Sequence, residues 1–324
     1  MERVYIGGQA VIEGVMMKNK TEYAIAVRKP DQEIDVKVEE YVSLGDRVGF
    51  FRLPIIRGVV NFIESLVIGM KTLTYSASFY DEDDKEEKEA PAKEAAKKGG
   101  DSVMMFFTVV VSLILAIGLF ILLPAWLSEI LRRWIDNNIV IALLEGVIRL
   151  VIFLGYVLAI SCMEDMKRVF MYHGAEHKTI NCLEAGEPLT PENVMKYTRF
   201  HKRCGTSFLF IVMIISILFF MVINVESPIL RIALRLLLVP AIAGVSYEFI
   251  RLAGRSNSVI MKILSAPGLW VQRLTTREPS PEMVEVAIAS VEGVLDWKAY
   301  QAEMKKEEGT RTEGRKNRRK EECC

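Results

Sequence analysis

The residues with the most chemical potential lie in one stretch, 171–207, which reads MYHGAEHKTINCLEAGEPLTPENVMKYTRFHKRCGTS. All three histidines of the chain, His173, His177 and His201, fall inside it, together with Cys182 and Cys204. Imidazole and thiol groups gathered so closely are the ingredients of a transition-metal site. His173 and His177 are four positions apart, so on a helix both rings share a face and can address one ion. Glu176 lies close to that face and is placed to take a proton from water, the work of a general base. His201-Lys202-Arg203-Cys204 adds a second, local pair of ligand types. The competing expectation is structural. In that reading Glu176 orients Lys178 or caps a local turn. Gly174 weakens a helix here by about 1 kcal/mol relative to alanine.

The rest of the chain must position these groups, and most of it is apolar. Of the 324 residues, 51% are hydrophobic and the formal net charge is zero, so a general attraction to nucleic acid is not expected. The apolar residues gather in four long runs, 103–127, 139–163, 206–225 and 229–250, each long enough to span a hydrocarbon core of roughly 30 Å. Glu145 and Arg149 sit four apart inside the second run, and the fourth contains Arg231, Arg235 and Glu248. Such charges are expected to pair and face the bundle interior. Trp126 and Trp134 bracket the first short loop, as interfacial aromatics do. The loop 164–204 carries seven basic residues and the loop 128–138 carries two. That asymmetry predicts a cytoplasmic 164–204 loop and, with four spans, cytoplasmic N- and C-termini. Five cysteines in no regular framework fit reduced thiols facing a cytosol. The opening residues lack the basic head and apolar core of a signal peptide. Cys323-Cys324 lacks the C-terminal prenylation pattern and reads as part of an exposed tail.

Outside the spans, Tyr23 to Val27 and the alternating Ile34, Val36 and Val38 predict two strands around a turn at Lys29-Pro30-Asp31. The glycine-rich stretch 7–17 has no phosphate-loop ending and is expected to be a tight connection packed against the membrane domain. In 53–77, Arg57, Asn61, Glu64 and Lys71 fall near one helical face, so that helix is expected to lie in the interface, or to pack its polar side inward on a bundle, rather than to span. Ser280-Pro281-Glu282 starts a helix whose apolar stripe, Val284, Ala287, Ile288, Val291 and Leu295, should dock on the soluble part. The expected fold class is a mainly α membrane protein, with about four transmembrane helices, a small cytoplasmic β-containing N-terminal module and an interfacial helix. Its expected divisions are 1–80 for the module and interfacial helix, 81–102 for a charged flexible linker, and 103–255 for the four-span domain. A cytoplasmic segment with a helix, 256–300, and a disordered charged tail, 301–324, follow.

Five blocks in order, GGQAVIEGVMMK at 7–18, HGAEHKTINC at 173–182, HKRCGTSF at 201–208, SYEFIRLAGR at 246–255 and APGLWVQRLTTREP at 266–279, resemble the YqhQ-like family of bacterial integral membrane proteins. That resemblance implies a multi-pass protein of the cell membrane and a metal-dependent enzyme, and it implicates His173, Glu176, His177, His201 and Cys204. His173-Gly174-Ala175-Glu176-His177 also matches the H-x-x-E-H pattern of inverted zinc hydrolases. Two functions follow as expectations. In the first, a zinc-dependent hydrolase or peptidase, His173 and His177 hold Zn²⁺ and Glu176 is the catalytic base. His201 is then the nearest third ligand by type, with Glu248 next because inverted hydrolases use a downstream glutamate. In the second, a non-enzymatic scaffold or assembly factor, His173, His177, His201 and Cys204 close a four-ligand structural site. The expected partners are the lipid bilayer and a membrane protein or peptide. Transport ranks below both, because the membrane half contains no evident repeat.

Overall fold

The structure, a computed structural model, describes residues 6–80, 107–222, 225, 227–255 and 258–303. The charged linker expected at 81–102 and all of the tail beyond 303 lie outside the described residues. Four helices are long and apolar enough to cross a membrane. These are α2 (Phe107–Leu131), α3 (Asn138–Ser161), α5 (Gly205–Val222) and α6 (Pro228–Arg255). They are joined by α1 (Ile56–Ala77), α4 (Glu164–Glu184), α7 (Val259–Thr275) and α8 (Pro281–Glu292). The protein is thus mainly helical, with four apolar helices and a small N-terminal sheet.

That sheet is larger than the sequence pattern predicts. The glycine-rich stretch expected to be a connection forms a hairpin, β1 (Gly7–Val11) and β2 (Gly14–Lys18). The hairpin continues into β3 (Glu22–Arg28) and β4 (Ile34–Glu40), giving an antiparallel meander in the order β1-β2-β3-β4. Both faces of β2 and β3 are covered, which hides the alternation that marks a half-buried strand. Val15, Met17, Ala24 and Ala26 pack against Val284, Ala287 and Val291 of α8 and Tyr172 and Ala175 of α4. Val11, Met16, Tyr23, Ile25 and Val27 pack on the opposite face against Ile68 of α1. Each fully buried valine or methionine contributes about 1.5–3 kcal/mol, so the sheet is anchored from both sides. The β1–β2 turn is tied to α4, with Tyr172 Oη donating to Glu13 Oε2 at 3.1 Å and Arg168 gripping the same carboxylate.

The C-terminal helix begins where the capping pattern predicts. The Ser280 hydroxyl accepts a hydrogen bond from Met283 N, and Pro281 occupies the first turn. Helix α7 runs through Pro267-Gly268. Gly268 lies on Ser207 of α5, where an added Cβ would fall 2.9 Å from the serine Cβ, so glycine is what permits the crossing. Helix α1 crosses α6 in the same way, Gly58 against Gly244.

The charges inside the spans pair as expected. Glu145 Oε1 lies 3.0 Å from Arg149 Nη2 and 2.6 Å from Arg235 Nη1. Arg149 also donates to Ser216 Oγ and to the Phe120 carbonyl, at 3.1 and 2.9 Å. Phe120 belongs to a π-helical turn, Gly118–Leu122, which leaves carbonyls outside the regular ladder for such a donor.

Candidate metal centre

Helix α4 occupies about half of the 164–204 connection and carries the first two ligand candidates. Its close packing explains Gly174. A Cβ there would overlap the carbonyl oxygen of Arg277, so glycine lets the 275–279 strand of chain lie directly on the helix. Arg277 N donates to Phe170 O at 2.8 Å and fixes that strap. The strap in turn presents the Thr275 carbonyl to His173 Nδ1 at 2.8 Å. One helical turn later, His177 Nδ1 meets the Arg199 carbonyl at 2.7 Å. A carbonyl oxygen only accepts, so in each ring Nδ1 carries the hydrogen and Nε2 keeps its lone pair. Both histidines are therefore set in the tautomer that binds a metal through Nε2.

The third donor is Cys204, the residue immediately before α5. Its Sγ lies 3.2 Å from His173 Nε2 and 2.8 Å from Thr206 Oγ1. The donor atoms of His173, His177 and Cys204 all lie within 4.8 Å of one another. Zinc bonds of about 2.0–2.3 Å place tetrahedral ligands about 3.3–3.8 Å apart, so small side-chain rotations close the set around one ion. Electrostatics agree with that chemistry. Burial pushes the Cys204 thiol up, but His173 and then His177 outweigh burial and hold it well below the ordinary thiol range. Burial pulls His173 down, yet the adjoining Cys204 sulfur carries the imidazole up to about 9.

Glu176 is buried against this cluster. Burial drives its carboxyl upward, while the imidazoles of His177 and His173 oppose the rise. Its Oε2 has no hydrogen-bond partner among the described residues. A buried polar atom left in that state costs about 1–3 kcal/mol, which calls for a ligand or a functional reason. Glu176 does not orient Lys178, which is bound instead to Glu278 Oε2 at 2.9 Å and the Met195 carbonyl at 3.0 Å. Gly8 of β1 faces the carboxyl so closely that a Cβ would come within 2.8 Å of it.

The two remaining ligand candidates are not brought into the cluster. His201 is a near neighbour, its ring centroid 5.7 Å from that of His177. Its Nε2 faces Glu184 Oε2 at 3.6 Å. Its main chain is clasped by Gln272, whose Oε1 accepts from His201 N at 2.8 Å and whose Nε2 donates to His201 O at 2.7 Å. Glu248 is committed elsewhere, because Arg57 of α1 binds both of its oxygens, Nε to Oε1 at 2.6 Å. A carboxylate already neutralised by a two-pronged guanidinium is not available to a metal. Cys182, expected only as part of the cluster region, lies in the core between α4 and α8.

Glu176, His201, Gly8, Arg203, Tyr247 and Arg251 are among the residues that line a cavity of about 430 Å³. The residues that sequence reasoning missed are Thr275, Arg199, Gln272 and Gly8. Two of them act through main-chain carbonyls, which carry no side-chain signal. Gln272 offered one, as a polar residue on the buried side of α7.

With this geometry in place, comparison with other proteins bears on lineage. Residues 53–297 match the family described as a protein of unknown function, DUF1385. The chain belongs to that family. It is also 35% identical over 307 residues to the uncharacterized protein YqhQ of Bacillus subtilis (strain 168), covering 93% of this chain and 95% of that protein. The resemblance seen in the five sequence blocks is therefore a family relationship. The family match includes the whole cluster and excludes β1 to β4, while the Bacillus relative extends the similarity over nearly the full length. No solved structure matches the chain.

Proposed function

We propose that this protein is a membrane-embedded, zinc-dependent hydrolase acting on an ester or amide at the cytoplasmic face. The observation that carries the reading is the pairing of a three-donor set with a buried carboxylate that lines a cavity and whose Oε2 has no hydrogen-bond partner among the described residues. Two nitrogens and one sulfur suit zinc, and three protein ligands leave the fourth position that a catalytic site requires. A zinc ion held by His173, His177 and Cys204 would supply Lewis acidity and lower the pKa of a water molecule to about 7. Glu176 accepts the proton of the attacking water as its oxygen bonds to the acyl carbon. Glu176 then returns that proton to the leaving oxygen or nitrogen as the scissile bond breaks. The cytoplasmic orientation is supported by the seven-to-two excess of basic residues in the 164–204 connection.

A scaffold with a structural metal needs a fourth protein ligand, and the expected one, His201, is turned to Glu184. The two readings separate experimentally. In the hydrolase, Glu176→Gln retains stoichiometric zinc by mass spectrometry and fails to complement a deletion strain. His177→Ala and Cys204→Ala lose the metal. Full complementation by Glu176→Gln would eliminate the hydrolase mechanism and leave the scaffold.

A further inference from the structure

The cavity beside Glu176 has a composition that the hydrolytic chemistry alone does not require. Part of its lining is the last part of α6, where Tyr247, Ile250 and Arg251 follow one another along the end of a membrane-length helix. Leu252, the next residue, is 57% exposed, as suits a surface meeting lipid. Ile6 and Ile180 also line the cavity, as does Arg203 from the segment that leads to Cys204. Two arginines therefore line one space together with three isoleucines. Arg203 is fixed by Glu184, while Arg251 makes no salt bridge among the described residues. Guanidinium groups are suited to phosphate and carboxylate, which they bind through paired hydrogen bonds.

We propose that the substrate is an anionic membrane amphiphile, whose charged headgroup seats on Arg203 and Arg251 and whose apolar part lies over Ile6, Ile180 and Ile250. The inference rests on the hydrolase reading of the adjoining cluster. The headgroup end is cationic, the scissile bond lies toward Glu176, and the cavity adjoins the end of a span. A lipid anion can thus enter without leaving the bilayer surface. A water-soluble anion would gain nothing from the isoleucines. A peptide would depend on the outer edge of β1 at Gly7-Gly8 rather than on Arg251.

The test uses the full-length protein in a neutral detergent, with binding of dioctanoyl phosphatidic acid followed by native mass spectrometry. Dioctanoyl phosphatidylcholine, inorganic phosphate and a short acidic peptide serve as competitors. Phosphatidic acid is expected to bind, the three competitors to displace it poorly, and Arg251→Gln to weaken it about tenfold to a hundredfold. Arg251→Lys is expected to recover part of the affinity, and unchanged zinc content and thermal unfolding establish that each variant is folded. Equal competition by inorganic phosphate would identify a free-anion site, and displacement by the peptide would identify a peptide site. Either result overturns the proposal, as does undiminished binding to a folded Arg251→Gln protein. The Glu176→Gln variant separates the two ideas. Lipid bound to it, with no hydrolysis of that lipid by the parent protein, leaves the binding site standing and removes the hydrolase. Hydrolysis of other esters with no lipid binding does the reverse.

Discussion

The buried charge cluster of the membrane domain gives an asymmetric expectation for three variants, Glu145→Gln, Arg235→Gln and the two combined. Glu145 is the shared counter-ion of Arg149 and Arg235, at 3.0 and 2.6 Å, so the cluster has one excess positive charge. Both guanidinium groups lie 5.2 Å from the Phe220 ring centroid, which offers only a weak cation–π offset. Glu145→Gln removes the single anion and leaves two buried cations. Losing one partner of a buried pair costs about 3–5 kcal/mol. An uncompensated charge at mid-span costs about 2.5–3.5 kcal/mol on the lenient insertion scale. Either figure is a large fraction of a total stability of about 5–15 kcal/mol. Arg235→Gln, in contrast, leaves the Glu145–Arg149 pair balanced and removes the excess cation, so its loss should stay below about 2 kcal/mol. The double variant leaves Arg149 alone with Ser216 and the Phe120 carbonyl and should fall between. Steady-state abundance in membranes and thermal unfolding in detergent should both rank Arg235→Gln above the double variant and Glu145→Gln last. A Glu145→Gln protein as abundant and heat-stable as the parent, or an Arg235→Gln protein that is worse than it, would refute this reasoning.

Two further expectations concern the centre and its surroundings. Gly174→Ala would drive a methyl group into the Arg277 carbonyl, so the strap bearing Thr275 must move. We expect a loss of about 1–3 kcal/mol from overpacking and weaker zinc retention, measured by thermal unfolding and metal content, and an unchanged affinity would argue against the strap as the support of His173. Burial pushes the Cys182 thiol up to about 11, so its stabilising contribution is complete below the ordinary value of 9.0 and declines as pH rises through about 11. Mass-spectrometric mapping after iodoacetamide at pH 8 should therefore find exposed Cys162 modified well before Cys182, with Cys182 reacting only as the protein loosens at high pH.

The sequence by itself determined the features whose causes are local. Four apolar runs specify four spans because hydropathy sums over neighbours, and spacing by four puts His173 and His177 on one face because the helix repeats every 3.6 residues. Ser280-Pro281 marks the start of α8 because a cap is a contact across three residues. Pairing of Glu145 with Arg149 follows from the same periodicity. Only the tertiary structure selected Cys204, rather than His201 or Glu248, as the residue that joins the two histidines. That choice depends on contacts remote in sequence. Arg57 takes Glu248 from 191 positions away, Gln272 clasps the main chain at His201 from 71, and Thr275 orients His173 from 102. The β1–β2 hairpin was hidden for a related reason, since burial of β2 on both faces erases alternation. Gly174 looked like a weak point for its helix, and what it provides is the close approach of the 275–279 segment that orients His173; Gly8, in the stretch read as a tight connection, lies against Glu176. A glycine's missing side chain becomes informative only when the atoms that fill its place are known.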